Sequence, residues 1–290
     1  MAAAADDNTN TMTAPGATGN DNDDGDGTVL VRTTLPSRPL PANDTRPHHR
    51  TARLLVRPLR QSDLAGLHAL RTQPEAMTGT RLGRPDRDLA ETQVELDFFR
   101  HGVRGGSGEP PYLWGAFLSP PQQQQRSATT STGDEEEGEE EVELLIGEGG
   151  VHTLATDAVA ASGWPEIGYK FRREYWGQGY ATEFVEAVLG AWWGLPRSTV
   201  EIRVNRRAVA AAMSAAANDS VPEDGGEDDV IEATEQMYAN AEPSNAGSCR
   251  VLEKLGFRRY HEWTEPDTQE HRVGKPLDLA GYLLAKSACL

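Results

Sequence analysis

The chain has 290 residues, of which 45 are acidic and 28 basic, giving a formal net charge of −17, and its two cysteines match neither a disulfide framework nor a zinc site. An acidic chain of this kind offers no basic face to nucleic acid, and its longest apolar run, around Val188 to Leu195, is broken by glycines and too short to span a bilayer. Met1 is followed by alanines and aspartates, without the basic start and apolar core of a secretory signal, so the sequence reads as that of a cytoplasmic protein.

Residues 1–50 are dominated by small, polar and acidic types, which are expected to form a disordered tail because they bury too little to offset the entropy of ordering. Two low-complexity inserts share that character: 119–143, with a Gln run and the acidic block Asp134 to Glu143, and 206–236, with an Ala run and Asp224 to Asp229. Together the three segments hold 23 acidic and 7 basic residues, so the remaining 22 and 21 leave a nearly neutral folded part, a single domain over 51–286. The acidic runs read as solvated loops or as contacts for a basic partner.

Arg53 to Leu59 reads as a strand, followed by a helix that Ser62 can cap, with Leu64, Leu67, Leu70 and Arg71 at helical spacing until Pro74. A second helical stretch covers Leu89 to Phe99. Tyr112 to Leu118 and Leu144 to Val151 are antiparallel strand candidates separated by the first insert. In "EIGYKF", Ile167, Tyr169 and Phe171 point one way while Glu166, Gly168 and Lys170 point the other. A glycine turn follows, then a helix with Ala181, Val185, Val188, Leu189 and Trp192 on one apolar face, which makes Trp192 a core residue rather than part of a stacking box. Thr199 to Val204 is another strand, whose continuation the second insert displaces to Met237 to Ala241. Asn245 or Ser244 caps a short helix carrying Val251, Leu252 and Leu255 inward, which Gly256 ends. Phe257 to Trp263 and Asp278 to Ala285 close the domain as strands.

Chemistry concentrates at Gly177-Gln178-Gly179, between a strand and a helix start, where glycines let the backbone approach a ligand and free N–H groups point outward. The expected ligand is a phosphate, and the plain alternative is an ordinary tight connection. The turn lacks the Lys-Ser/Thr of a P-loop and the third glycine and acidic partner of a dinucleotide-binding unit, which leaves ATP and NAD without support. The seven histidines are scattered and support no metal or catalytic pattern.

The strings "EIGYKFRREYWGQGYATE" and "NAGSCRVLEKLGF" resemble the GNAT acetyltransferase superfamily, especially its ribosomal-protein N-acetyltransferase-like (RimJ/RimL-type) branch. The resemblance implies an α/β (α+β) fold: a mixed, mostly antiparallel sheet of six or seven strands flanked by helices, splayed between its fourth and fifth strands to admit acetyl-CoA. The family's phosphate turn falls on Trp176, Gly177, Gln178, Gly179, Tyr180 and Ala181, with Thr182 completing the amide cradle and Trp176 replacing a polar first residue. Pantetheine is implied to pair with the backbone of Lys170, Phe171 and Arg172 and to touch Asn245, whose plain alternative is a helix cap. Glu166 stands near the family's base glutamate, the alternative being a strand-edge pair with Lys170. Leu252 occupies the place of the family's thiolate-protonating tyrosine, leaving Ser248 as the nearest donor unless it only caps the first turn. Cys249 on the helix face reads as a small apolar residue. The expected function is direct transfer of acetyl from acetyl-CoA to the amine of a protein N-terminus, a lysine or a small molecule, without a metal. A catalytically silent acyl-CoA-binding sensor or scaffold is the alternative.

Overall fold

The computed structural model describes residues 27–80, 82–102, 110–118, 143–153, 162–214 and 230–286. The first 26 residues, 119–142 and 215–229, which hold most of the expected tail and inserts, lie outside the described residues.

Eight strands form the main sheet: β2 (His49–Arg50), β3 (Leu54–Arg57), β4 (Tyr112–Leu118), β5 (Leu145–Thr153), β6 (Glu166–Phe171), β9 (Gln236–Ala241), β10 (Arg258–Pro266) and β11 (Pro276–Ala285), in the order β10-β11-β9-β6-β5-β4-β3-β2. Every neighbouring pair is antiparallel except β6 with β9. Helix α4 (Tyr180–Trp193) lays Phe184, Val185, Val188, Leu189 and Trp192 on one face of this sheet, against Trp114, Ile167 and Phe171. Helix α6 (Ala246–Lys254) adds Leu252 to the same core. On the opposite face, α1 (Leu64–Arg71) and α3 (Leu89–His101) bury Leu67, Leu70, Leu96 and Phe99 against Leu55, Leu113 and Phe117. Strand β4 serves both layers: Tyr112, Trp114 and Ala116 face α4, while Leu113 and Phe117 face α1. At about 1.5–3 kcal/mol for each fully buried large apolar side chain, these two layers fix the register of the sheet.

Three sequence expectations need correction. Thr28–Pro36, placed in the tail, is strand β1, with Val29, Val31 and Leu35 buried at period two. A nine-residue alternation disappears when composition is averaged over fifty residues. Arg206–Ser214, placed in the second insert, is helix α5, and Ile231–Glu232, also inside that insert, is strand β8. Finally, β7 (Arg197–Asn205) does not join the main sheet. It pairs antiparallel with β1 from Thr28↔Asn205 to Pro36↔Arg197, and β1 pairs parallel with β8, giving an accessory sheet of order β7-β1-β8. That sheet and α5 bury Val31, Ile202, Val204, Ala208 and Val209 with Trp164, Tyr238 and Leu283 of the main body. Met237–Ala241, expected to continue the Thr199–Val204 strand, lies instead in the other sheet, where β9 takes the position beside β6.

The start of α1 also differs from expectation. Ser62 does not cap it; the Asp63 carboxylate accepts the Arg60 N–H at 2.6 Å and a two-pronged bond from buried Arg57 at 2.7 and 2.8 Å. Ser62 lies inside the short 3-10 turn Gln61–Asp63 that precedes α1, one residue before the helix's own N-cap, Asp63. As expected, α1 ends before Pro74, at Arg71, and Pro74 then opens the short helix α2 (Pro74–Met77) at its first position, where a missing N–H costs nothing.

Candidate functional site

Strands β6 and β9 share one residue pair, Glu166 with Tyr238, where Tyr238 N–H donates to Pro165 O at 2.8 Å. Toward Phe171 and Ala241 no further pair joins them, and the sheet opens into a cleft there, between the fifth and sixth strands of the order counted from β2, or the expected fourth and fifth once the two-residue β2 is left out. On its other edge β6 stays bonded to β5, with Arg172 N–H donating to Ile146 O at 2.8 Å. Because backbone groups alternate along a strand, Phe171, and neither Lys170 nor Arg172, turns its N–H toward the cleft. Lys170 instead pairs with buried Glu148, and Arg172 donates to Gly66 O of α1 at 3.1 Å.

The chain leaving β6 reaches α4 through two left-handed glycines, Gly177 (φ 73°) and Gly179 (φ 83°). Among the described residues, the amides of Gly177, Gln178, Gly179, Tyr180, Ala181 and Thr182 donate to no backbone carbonyl, so this helix start is an open anion cradle. Three contacts that the sequence did not disclose hold it. Arg53 donates to Gln178 O at 2.8 Å, to Glu183 at 2.7 Å, and lies 4.3 Å from the centre of the Tyr180 ring. Burial alone would raise the Glu183 carboxyl, but bonds from Thr51 and Arg53 outweigh it and hold the group below the usual range. An acidic residue in a helix's first turn is the one signal that pointed to Glu183. Trp176, 47% exposed, donates its indole N–H to Phe171 O at 2.8 Å and so ties the turn to the strand end. A hollow of about 450 Å³ behind the turn is lined by Arg50 and Thr51 but also by Glu183 and Glu186, carboxylates that repel phosphate and leave the amide cradle as the anion site.

At the far side of the cleft, Asn245 caps α6 by accepting the Ser248 N–H at 3.1 Å, and its Nδ2 lies 3.9 Å from where a Cβ on Gly79 would sit. Ser248 is half-buried, and its carbonyl accepts the Tyr169 hydroxyl at 3.4 Å. Burial pushes the Tyr169 phenol well above its ordinary range, so it stays a neutral donor. Leu252 is 1% exposed, a core residue with no part in proton transfer. Glu166 stands on the face away from α4, where Asn240 of β9 donates to its Oε1 at 2.6 Å across the gap. The expected strand-edge pair of Glu166 with Lys170 is not made, since Lys170 is engaged by Glu148. The structure therefore gathers Gly177–Thr182, Phe171 and Trp176 at one end of the cleft, Asn245 and Ser248 on one wall and Glu166 on the other, while Lys170 and Arg172 point their backbone elsewhere.

The β10–β11 loop reaches the segment that follows α2, where buried Gln269 donates to Thr78 O and Thr80 O at 2.8 and 2.7 Å. Arg272 of the same loop bonds Glu242 at 2.9 Å. Among the described residues no cluster of three or more His, Cys, Asp or Glu could hold a metal ion, and no helix is long and apolar enough to cross a membrane.

Solved structures that match this chain include a GNAT-family acetyltransferase from Bacillus anthracis, 17% identical over 82% of this chain and 98% of its own, with a TM-score of 0.47. RimJ from Mycobacterium smegmatis, in complex with CoA-disulfide, is 13% identical over 80% and 81%, at 0.46. A spermidine N-acetyltransferase from Vibrio cholerae, in complex with CoA and spermine, is 12% identical over 81% and 96%, at 0.46. No curated protein matches the chain. The assignment rests on the family model described as the acetyltransferase (GNAT) domain, which matches residues 53–258, well over half of the chain. This chain belongs to the GNAT acetyltransferase family, whose members transfer an acetyl group from acetyl-CoA to an amine.

Proposed function

We propose that the cleft between β6 and β9 acetylates a primary amine by direct attack on acetyl-CoA, with Glu166 as general base. The observation that carries this reading is the single Glu166↔Tyr238 pair, beyond which the strands part beside an open amide cradle. The amides of Gly177–Thr182 hold the pyrophosphate, the N–H of Phe171 receives a pantetheine carbonyl, and Asn245 meets the arm from the α6 side. Glu166, fixed by Asn240, takes a proton from the ammonium. Ser248 or water returns one to the departing thiolate, with the Tyr169 hydroxyl as a second donor at the same spot. The two strings around the turn and α6 favour the ribosomal-protein N-acetyltransferase-like branch, with a protein N-terminus, a lysine or a small amine as acceptor.

The test is mass spectrometry of a cell extract incubated with the chain and isotopically labelled acetyl-CoA. Labelled acetyl on one amine class is the expected result. CoA binding without any labelled product would replace this reading with a silent acyl-CoA-binding module.

A further inference from the structure

Two protons must leave an alkylammonium nitrogen before it becomes an amide nitrogen: one before attack, and one as the tetrahedral adduct collapses. A single carboxylate takes only one of them. We propose that His152 is the second proton acceptor of the transfer, acting on the same face of the sheet as Glu166. This rests on the reading of the cleft as an amine-acetylating site.

Strand β5 carries a bulge opposite β6. Val151 pairs with Ile167 and Thr153 with Glu166, so His152 is the extra residue between them. A bulge re-aims a side chain, and such irregularities gather beside active sites. Here it brings the imidazole down on β6, because a Cβ built on Gly168 would lie 2.8 Å from His152 Nε2. Gly168 is two residues past Glu166 and faces the same way, so the bare glycine seats the ring one step along the strand from the proposed base. The ring is also exposed, which gives the proton a way out to solvent. The ionisable groups on this face are Glu166 and Lys170 of β6 and Glu148 of β5, with Arg71 of α1 behind Glu148 and Tyr238 on β9. Lys170 and Glu148 neutralise each other. Imidazole is a side chain that can both accept and release a proton around neutral pH.

In the step itself, the amine left neutral by Glu166 forms the C–N bond at the thioester carbonyl carbon. His152 takes the remaining surplus proton from nitrogen, and the C–S bond breaks with its electron pair going to sulfur. The thiolate is protonated at the α6 wall, and His152 then releases its proton to water.

The experiment uses the full chain, His152→Ala and Gly168→Ala, with acetyl-CoA as donor and spermidine and a peptide with a free α-amine as probes. His152→Ala should bind CoA as tightly as the unaltered chain in calorimetry, lose about 100-fold in kcat near neutral pH, and regain part of it when imidazole is added. The pH dependence of its rate should lose the limb that this side chain contributes. Gly168→Ala, which pushes the ring off its seat while keeping both acceptors, should lose rate at unchanged CoA affinity. An unaltered rate and pH profile in His152→Ala would overturn the assignment of His152 alone. An unaltered chain that binds CoA yet acetylates neither probe would overturn the acetylation reading, and this inference with it.

Discussion

The cofactor end of the molecule and the accessory sheet are both built from short strands and one helix, yet they are specified in opposite ways. From Glu166 to Trp193 the framework is local: a strand, two left-handed glycines, and an amphipathic helix follow one another within thirty residues, and distant Arg53 and Asn240 only steady it. In the accessory sheet the decisive contact joins Thr28–Pro36 to Arg197–Asn205, and nothing near either strand in sequence announces the other. A short alternating segment acquires its meaning only from a partner, whereas a strand–glycine–helix unit carries its own. The two regions meet at Tyr238, which packs in the accessory core while its neighbour Asn240 holds Glu166.

The largest expected effect separates the two regions outright. Gly179→Trp puts a bulky residue at φ 83°, with its Cβ 3.4 Å from the Arg53 guanidinium, and should abolish CoA binding in calorimetry while backbone strain of about 1–2 kcal/mol lowers the melting temperature only by a few degrees. Unchanged affinity would remove the amide cradle as the cofactor site. Next comes Glu166→Gln, expected to lower kcat about 100-fold near neutral pH at constant CoA affinity, with part of the loss returning at high pH, where more of the amine is already neutral. If instead stability falls and kcat holds, Glu166 is a structural partner of Asn240 and no base. On the accessory side, Val31→Ala should cost about 2 kcal/mol in denaturant unfolding and leave CoA affinity alone. A fall in affinity would mean that the accessory sheet supports the cleft through Tyr238. Deleting residues 1–26 should leave the melting temperature unchanged, whereas deleting 1–36 should lower it sharply. Asn245→Ala sharpens the comparison on a smaller scale: loss of the α6 cap should cost about 1 kcal/mol, and a rise in the acetyl-CoA KM beyond that would mark a contact to the pantetheine arm.

The smallest effect concerns pH. The Arg84 guanidinium holds the Glu91 carboxyl at about 2, below its ordinary value. A carboxyl with a depressed folded pKa stabilises the fold above about pH 4.3, and that contribution fades as pH falls toward 2. Arg84→Gln should therefore move the Glu91 titration, followed by NMR, up toward the ordinary carboxylate range. Both side chains are partly exposed, so solvent screening should keep the change in stability slight.

How much of this was legible in the sequence follows the same division. The phosphate turn, the apolar face of α4, the Asn245 cap and the antiparallel β4–β5 pair could all be read, because each shows itself within a window of a dozen residues. Glu166 could be proposed, but its actual partner Asn240 is 74 residues away, and Lys170 was the nearer and wrong choice. Arg53 and Asn240 were invisible, since a single arginine or asparagine in a strand has no periodic signature. His152 was passed over as one of seven scattered histidines; only the register of β5 against β6 shows that it is the bulged residue. The tail and second insert were drawn too wide because acidic composition hid the strand and the helix at their borders.

The pairing of β1 with β7 also fixes an order of events during synthesis. Some 170 residues lie between Thr28 and Asn205, which the ribosome adds at roughly 5–20 residues per second, so β1 waits on the order of 10–30 seconds for its antiparallel neighbour. During that wait Val29, Val31 and Leu35 line an unpaired alternating segment, the form most prone to zip onto another nascent chain. The cofactor unit from β6 to α4 closes over local contacts and has no such delay. We expect β1 to remain sensitive to protease in ribosome-stalled chains that stop short of Asn205 and to become protected only once β7 has emerged. Protection in the shorter chains would mean that β1 first docks on the main sheet and meets β7 there.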